Sequence, residues 1–449
     1  MFPPIRRSSF VYFVVAVTVS YVLTYFQLQQ YVPTLVNPAH EQFIFSSPPP
    51  KQKSLEALYG KERAAESLPK LPDWLQEYIH WHSKERQNAK YDQHSPIQYL
   101  VLVCHKGTTC GGFADRIRGL PFLLSLAAET KRVLLIKWSK PHDLSHFLIP
   151  PVGGIDWRTT PELDAIIEKS EQTYRLFAGQ EVTNITAITH EACINRMKQL
   201  ENKTVIQIQL DRERRFLNHL SELFEIYSFD QITSDDIPYK FGNSFGDIFR
   251  VMFEPVPPLA HSINMTMSKL GLFPNDYRST HIRARYPTLS LMKLSHKSLG
   301  SDKEGGFLFH QNLKLRNYAF GLSSLAIQCV SGATTTTNDG PIFLSTDSND
   351  TAALVFHHLS HTYKAPNVTG ITRTNEPLHF DIDSLETSHS SPQDFYSLFE
   401  DLLIMGGSSC VGFGEGSFGS LGAALIGNKC FVYYKVIQGQ LHVCEKRVH

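Results

Sequence analysis

The chain has 449 residues, 42% of them hydrophobic, a size and composition that fit two domains better than one. Its 43 lysines and arginines balance its 43 aspartates and glutamates, so the formal net charge is +0 at pH 7. This balance argues against a nucleic-acid partner, because proteins that bind nucleic acid through bulk charge carry an excess of basic residues.

The amino terminus predicts a membrane anchor. An apolar run covers residues 10–26, and the pair Arg6 and Arg7 precedes it. A run of this length can cross a thin bilayer, and the basic pair keeps residues 1–9 in the cytoplasm as a tail. No small-x-small cleavage pattern follows the run, which disfavours the alternative of a cleaved signal peptide. We therefore expect a single-pass type II protein with its remaining residues in the lumen. The short anchor and the stem favour the Golgi membrane, with the endoplasmic reticulum as the alternative.

Five sequons for N-glycosylation agree with a lumenal location, and they begin at Asn184, Asn202, Asn264, Asn349 and Asn367. Seven cysteines follow the anchor. An oxidising lumen permits disulfides, and an odd number of cysteines leaves at least one thiol free or intermolecular. Short loops could close between Cys104 and Cys110 or between Cys430 and Cys444, but the sequence does not decide the pairing.

A polar segment, residues 27–95, separates the anchor from the first apolar strand. Its proline-rich part, residues 46–54, favours an extended chain. We interpret the whole segment as a stem that holds the globular part off the membrane, with some helix over residues 55–83.

The first globular unit, predicted over residues 96–254, opens with a βαβ pattern. Residues 98–103 and 132–138 are nearly continuous apolar runs, which are typical of parallel strands buried on both faces. A Gly-rich turn and a helical pattern over residues 114–130 lie between them.

Clustered prolines at residues 254–258 predict a boundary, and the alternation of strands and helices restarts after them. The predicted elements of this second unit, residues 259–449, are a helix at 259–270, a strand ending at Arg285, a helix at 313–330, a strand at 342 and a helix at 351–362. The expected fold class is therefore α/β, with two Rossmann-like domains that face each other across a cleft.

Three strand-to-helix junctions of the second unit carry residues that suit a nucleoside diphosphate. The first ends in Arg283 and Arg285, the second in Asp347, and the third in a glycine-rich run that leads to Phe418. The carboxyl ends of parallel strands meet at one edge of a sheet, so these residues should line one pocket. Arginine binds phosphate through a planar fork, and a carboxylate can accept two hydrogen bonds from guanine.

The segment His281-Ile282-Arg283 resembles the His-x-Arg motif of the fucosyltransferase superfamily, which unites α1,2-, α1,6- and protein O-fucosyltransferases. The resemblance implies that Arg283 contacts the β-phosphate of GDP-fucose and stabilises the departing diphosphate. The family usually has a second arginine directly after the first. This chain has Ala284 there, so the second basic role moves to Arg285 or is absent.

Two later segments resemble the other donor-side motifs of this superfamily. Asp347 follows a strand, like the family's acid at the nucleoside end of the site, and its alternative role is to cap the next helix. Residues 394–425 resemble the third motif, an Asp-initiated helix followed by a strand and a turn. The turn, Gly416-Ser417-Phe418, opens a helix whose amino terminus suits phosphate oxygens.

The turn after the first strand, residues 110–119, resembles the Gly-rich first loop of the superfamily, which implies a position on the acceptor side of the cleft. Its candidate substrate-contacting residues are Gly111, Gly112, Asp115 and Arg116. Inverting transfer to a hydroxyl needs a group that accepts the proton, and Asp115 is the best-placed candidate for this base. Asp302 and Glu304 are the alternatives, and Asp115 has the further alternative of capping its helix.

As a whole, the resemblance implies a GT-B fold and the transfer of fucose, with inversion, from GDP-fucose to a glycan or glycoprotein, without a cofactor or catalytic metal. Two alternatives stay open. One is a metal-dependent transferase that uses the DxD pattern of Asp381 and Asp383 with a UDP-sugar. The other is a lumenal carbohydrate-binding protein without catalysis. His357 and His361 have metal-ligand spacing on a predicted helix, but the sequence indicates no third ligand.

Overall fold

The computed structural model describes residues 58–91, 97–105, 110–169, 173–175, 198–209, 237–283, 313–332, 340–362, 368–373, 378, 380, 391–414, 416–427, 430–434, 436–437, 440–441 and 444–447. The predicted anchor, residues 10–26, lies outside these ranges. Within them, no helix combines the length and the apolar character needed to cross a bilayer.

The helices and strands alternate along the chain. The helices are α1 (Lys61–Ser67), α2 (Asp73–Tyr91), α3 (Phe113–Ile117), α4 (Leu120–Glu129), α5 (Pro161–Lys169), α6 (Ile237–Met252), α7 (Pro257–Lys269), α8 (Leu313–Ser331), α9 (Asn349–Thr362), α10 (Tyr396–Gly406) and α11 (Ser417–Leu425). The strands are β1 (Tyr99–Cys104), β2 (Val133–Trp138), β3 (Leu148–Ile149), β4 (Thr173–Arg175), β5 (Val205–Gln209), β6 (Glu254–Pro255), β7 (Arg278–Ile282), β8 (Ile342–Thr346), β9 (Val368–Gly370), β10 (Cys410–Phe413), β11 (Phe431–Tyr433), β12 (Val436–Ile437), β13 (Gln440–Leu441) and β14 (Glu445–Arg447). Single 3-10 turns cover Leu68–Lys70, Leu144–His146 and Pro392–Phe395.

The first sheet has four parallel strands in the order β2-β1-β5-β4. Strands β1, β2 and β5 are buried on both faces, as continuous apolar runs predict. Leu100 and Leu102 of β1 face the larger core, whereas Val101 and Val103 pack in a cluster with Ile167 of α5. The predicted βαβ unit is confirmed, with its helix divided into α3 and α4.

The second sheet has six strands in the order β14-β11-β10-β7-β8-β9. All neighbours are parallel except β14, which pairs antiparallel with β11. Alternate residues of β8 again point to opposite sides: Ile342 and Leu344 join a cluster with α8 and α9, and Phe343 joins the larger core. The chain therefore has the predicted α/β fold class with parallel sheets.

One hydrophobic core extends across both sheets. Phe147, which precedes the prolines at 254–258, stacks on Phe399 of α10 with ring centroids 4.6 Å apart, and Phe113 of α3 meets the same ring edge-on at 4.8 Å. Arg250 of α6 donates a hydrogen bond of 2.8 Å to the carbonyl of Leu425 in α11. The two parts of the chain are thus joined by core packing, with aromatic pairs that add to the burial of apolar area.

Helices α1 and α2 lie in the segment that the sequence analysis assigns to the stem, yet they pack into the same core. Leu75, Tyr78 and His82 share one helix face and are all buried. The Tyr78 hydroxyl donates to the carbonyl of Arg132 at 2.9 Å, and His82 Nε2 bonds the carbonyl of Leu134 at 3.0 Å. Burial lowers the pKa of His82 to about 4, so its ring is neutral near pH 7.

Six of the seven cysteines form three disulfides: Cys104–Cys110, Cys329–Cys444 and Cys410–Cys430. The first was one of the two short loops considered from sequence. The second short loop, Cys430 to Cys444, does not form, because each of these residues has a different partner. Cys193 lies outside the described residues.

Candidate functional site

The strand ends that carry the predicted donor-side residues lie together at one edge of the second sheet. Strand β7 is flanked by β8 and β10, and all three run parallel. In this register His281 lies beside Ser345 on one side and Phe413 on the other. The residues that follow these positions, including Arg283 and Asp347, therefore emerge at the carboxyl edge where ligands of parallel sheets collect.

Arg283 lies against the start of α11. Gly416 precedes this helix with φ 110° and ψ 153°, a conformation that is essentially restricted to glycine. A methyl group added to Gly416 would lie 2.9 Å from Nη1 of Arg283 and 3.2 Å from its Cδ. Among the described residues, no side chain caps the helix, which continues for nine residues from Ser417. A guanidinium and a set of free helix N–H groups thus converge, which is the arrangement that holds a phosphate anion.

His281 lies beneath this arginine and is almost completely buried. Its ring centroid is 5.0 Å from that of Phe418 in the first turn of α11. The hydroxyl of Tyr434 donates to the main-chain carbonyl of His281 and fixes the strand at this point. Burial, assisted by the nearby Arg283 charge, lowers the pKa of His281 to about 3. The imidazole is therefore neutral at physiological pH.

Asp347 is partly exposed directly after β8. The cap that the sequence analysis considered for Asp347 is supplied by Ser348, whose Oγ accepts a hydrogen bond from the Thr351 amide at 3.3 Å. The amide of Ser348 itself donates to Thr346 Oγ1 at 3.3 Å. The capping role thus belongs to the neighbouring serine, and Asp347 stays a predicted base-contacting residue.

A second acid, Asp401 of α10, lies at the end of β8 and was not singled out from the sequence. Its Oδ2 accepts a hydrogen bond of 3.0 Å from Ser345, the residue in register with His281. Arg373 approaches the same carboxylate at 2.7 Å and also contacts Glu400 at 3.3 Å. Burial raises the pKa of the Asp401 carboxyl, while the guanidinium beside it acts in the opposite direction. This buried network fixes the segment after β9 to α10.

The Gly-rich turn of the first unit is held by its own aspartate. Gly111 has φ 74°, a left-handed conformation that glycine adopts without steric cost. The amide of Gly112 donates to Asp115 Oδ2 at 3.1 Å, and Asp115 Oδ1 lies 3.5 Å from Nη1 of Arg118. Asp115 therefore closes the first turn of α3, the alternative role considered for it, and its use as a general base stays a prediction.

Arg116 is only 2% exposed, and its guanidinium binds groups inside the protein. The guanidinium donates to the carbonyls of Gly111 at 3.0 Å, Lys140 at 2.5 Å and Phe380 at 3.2 Å. It also lies 5.1 Å from the Trp138 ring centroid and 4.8 Å from that of Phe380, a cation–π geometry. The structure thus places this predicted substrate-contacting residue in the interior, where it joins the Gly-rich turn to Phe380.

The Gly-rich turn and α11 are neighbours, because α3 packs against α11. The structure therefore brings together residues 111–117, Arg283, His281 and Gly416-Ser417-Phe418. Other predicted residues lie outside the described part of the chain: Arg285, Asp302, Glu304, Asp381 and Asp383. His357 and His361 lie on α9, but their side chains are outside the described set. Within that set, no group of three or more His, Cys, Asp or Glu could hold a metal ion.

Among the comparisons with known proteins, the comparison of structures gives matches. No family model matches the sequence, and neither does any curated protein. This chain is structurally similar to fucosyltransferases.

Three solved structures represent that similarity. A mutant of FUT1 from Arabidopsis thaliana in complex with GDP has a TM-score of 0.48 at 12% identity, with 84% of this chain and 83% of that chain covered. The α-1,6-fucosyltransferase NodZ, soaked with GDP-fucose, has a TM-score of 0.44 at 12% identity, with coverage of 79% and 99%. POFUT1 in complex with GDP-fucose has a TM-score of 0.35 at 10% identity, with coverage of 74% and 94%.

Two features of the site were missed from sequence. Tyr434 lies far along the chain from His281, and nothing in its local pattern marks it as a partner of that carbonyl. Asp401 carried a usable signal, because two adjacent acids interrupt the otherwise apolar helix α10 and buried carboxylates require a cation. Arg373, the partner, stands in a loop whose position follows only from the assembled sheet.

Proposed function

We propose that this protein is a fucosyltransferase that transfers fucose from GDP-fucose to a hydroxyl group of a glycan or glycoprotein, with inversion at the anomeric carbon. The observation that carries the proposal is the contact of Arg283 with Gly416 at the open amino terminus of α11. It supports a diphosphate site because one fixed cation and several N–H donors point to the same place. The resemblance of the His-x-Arg segment to the fucosyltransferase motif specifies the nucleotide and the sugar.

In this proposal Arg283 neutralises the negative charge that develops on the β-phosphate as the bond to fucose breaks. The N–H groups at Ser417 and Phe418 hold the same oxygens, so the leaving group is stabilised without reorganisation. A neutral His281 beneath the arginine supports the site by packing against Phe418. A second buried positive charge there would repel the guanidinium.

Recognition of guanine is assigned to Asp347, since a carboxylate can accept hydrogen bonds from both N1–H and the 2-amino group. Asp347 directly follows β8 at the carboxyl edge of the second sheet, which supports this assignment. Arg285 would add a second cation on the phosphate side.

The Gly-rich turn is proposed as the acceptor-side wall, since α3 packs on α11 next to the diphosphate position. Gly111 and Gly112 permit close approach of an acceptor sugar to the main chain. Asp115 is the proposed base, and it would have to exchange its hydrogen bond with Gly112 for one with the acceptor hydroxyl. Asp302 and Glu304 are the alternative bases.

We further propose that the protein is a type II protein of the Golgi membrane with a lumenal catalytic part and two Rossmann-like domains in the GT-B arrangement. Three disulfides support an oxidising compartment, because such bonds are rare in reducing cytosol. The apolar run at residues 10–26 supports the anchor.

Binding is the first test. Calorimetric titration of the protein with GDP, UDP, ADP and CMP should give tight binding of GDP alone. A preference for UDP, together with transfer activity that EDTA abolishes, would favour the metal-dependent alternative that uses Asp381 and Asp383.

Turnover is the second test. Arg283→Lys should lower GDP-fucose turnover about 10²–10³-fold, because an ammonium cannot reproduce the bidentate fork. Arg158→Lys is the matched control, since Arg158 makes an exposed ion pair with Asp156 and should leave turnover unchanged. Near wild-type turnover in Arg283→Lys would refute the assigned role, and GDP binding with no transfer to any tested acceptor would favour the non-catalytic alternative.

A further inference from the structure

The turn that leads into β5 presents one of the five sequons to solvent. Asn202 and Thr204, the first and third residues of this sequon, are both exposed, as is Lys203 between them. The turn is closed by main-chain bonds from Glu201 to Lys198 at 3.1 Å and from Lys203 to Leu200 at 2.9 Å. An exposed asparagine in a closed surface turn can carry a large substituent without disturbing packing.

The carbonyl groups around Asn202 are held on the protein side. Arg132, which is 1% exposed, donates to the carbonyl of Leu200 at 3.0 Å and to that of Lys203 at 2.8 Å. Gln98 donates to the carbonyl of Glu201. Because three carbonyls of the turn are anchored inward, its shape does not depend on the Asn202 side chain.

The position of the turn also keeps a substituent clear of the candidate site. The turn precedes β5, so it lies at the amino edge of the first sheet, whereas the Gly-rich turn follows β1 at the carboxyl edge. Beside the turn is an open cavity of about 470 Å³ whose lining residues include Gln98, Lys131 and Lys198. Such a surface suits a hydrated sugar chain.

Asn349, the first residue of α9, has the opposite environment. Its Oδ1 accepts a hydrogen bond of 3.1 Å from the amide of Arg373, and its Nδ2 donates to the carbonyl of the same residue at 2.8 Å. Arg373 is in turn bound to the buried Asp401. A glycan on Nδ2 would have to enter the gap between Asn349 and Arg373, so it is incompatible with this fold.

We infer that Asn202 is an N-glycosylated residue of the folded protein and that Asn349, despite an equally good sequon, is not. The ligand class is a branched oligosaccharide attached through N-acetylglucosamine to Nδ2 of Asn202. The inference rests on the lumenal orientation that is part of the proposed function, but it does not rest on fucosyl transfer.

The test uses the full chain made in cells with a secretory pathway. The protein is first treated with peptide N-glycosidase in ¹⁸O water. This reaction converts each glycosylated asparagine into labelled aspartate, and peptides are then released to locate the label. We expect label at Asn202 and unlabelled asparagine at Asn349. Asn202→Gln and Thr204→Ala should each remove one glycan, seen as the same increase in gel mobility. Because the two substitutions destroy the same sequon in different ways, a folding defect in one variant leaves the other as a test.

The matched substitution Asn349→Gln should leave the number of glycans unchanged but lower Tm by at least about 2 °C, because both hydrogen bonds to Arg373 are lost. The Tm of Asn202→Gln should lie within about 1 °C of the Tm of the wild-type protein after enzymatic deglycosylation. Unlabelled Asn202, or labelled Asn349 in protein that keeps its Tm, would overturn the inference. GDP binding measured on the same preparation reports on the proposed function separately, so that either conclusion can fail alone.

Discussion

Replacing Gly416 with alanine tests the geometry on which the proposed diphosphate site depends. The added methyl would lie 2.9 Å from Nη1 of Arg283, in a backbone conformation of φ 110° and ψ 153° that alanine disfavours by about 1–3 kcal/mol. Either the start of α11 or the guanidinium must shift. A displaced guanidinium loses a charged hydrogen bond to phosphate, which contributes about 1.5–3 kcal/mol. GDP should therefore bind about 10- to 150-fold more weakly.

The assay is calorimetric titration of GDP into the wild type, Gly416→Ala and Gly153→Ala. Gly153 is the matched control, because it also has a positive φ, 86°, but nothing lies within 4 Å of the position that its Cβ would occupy. Both substitutions should lower Tm through backbone strain, whereas only Gly416→Ala should weaken GDP binding. An affinity of Gly416→Ala within about threefold of the wild type, at a lowered Tm, would refute the proposal that Gly416 positions Arg283 for phosphate binding.

Three further predictions concern stability and base recognition. Arg116→Met should lower the free energy of unfolding by at least about 3 kcal/mol in urea titrations, because three buried carbonyls lose their donor; an unchanged urea midpoint would contradict that role. Asp347→Asn should abolish the preference for binding GDP over IDP, which lacks the 2-amino group. Asp401→Asn should keep this preference and lower Tm. The reverse result would assign base recognition to Asp401. Because the folded protein holds His82 and His281 neutral, with pKa values of about 4 and about 3, the unfolded chain binds more protons below pH 6.5. Stability should be full above pH 6.5 and fall by about 2 kcal/mol per histidine by pH 5, and His82→Gln should remove about half of this loss; a pH slope that this substitution leaves unchanged would count against the buried neutral ring.

Much of the fold could be predicted because its strands are buried on both faces. Nearly continuous apolar runs such as residues 98–103 and 132–138 are typical of strands buried on both faces. The observed β1 is displaced from its predicted range by one residue at each end, and the observed β2 begins one residue later than predicted. The arginine at the end of β7 could be predicted as part of a site for the same reason, since a strand of known direction fixes which end faces a ligand.

Other features depended on pairing across the fold. Helix α2 is polar on average, so it was assigned to the stem, although Leu75, Tyr78 and His82 already repeat on one face. Disulfide pairing was open because Cys410 and Cys430 become neighbours only when β10 and β11 pair. The interior role of Arg116 required knowledge of where Phe380 lies, and no local pattern contains it.

The stacking of Phe147 on Phe399 has a consequence for how this chain can be divided. Each ring supplies the cover for the other, so expression of either sheet alone would expose an aromatic surface to water. We expect separate amino- and carboxyl-terminal fragments to aggregate. A chimaera that takes one sheet from a protein of similar fold should fold only if its rings on that face are exchanged as a set. The prolines at 254–258 lie between the last strand of the first sheet and the first strand of the second sheet. Division of the protein at these prolines should nevertheless not give two stable fragments.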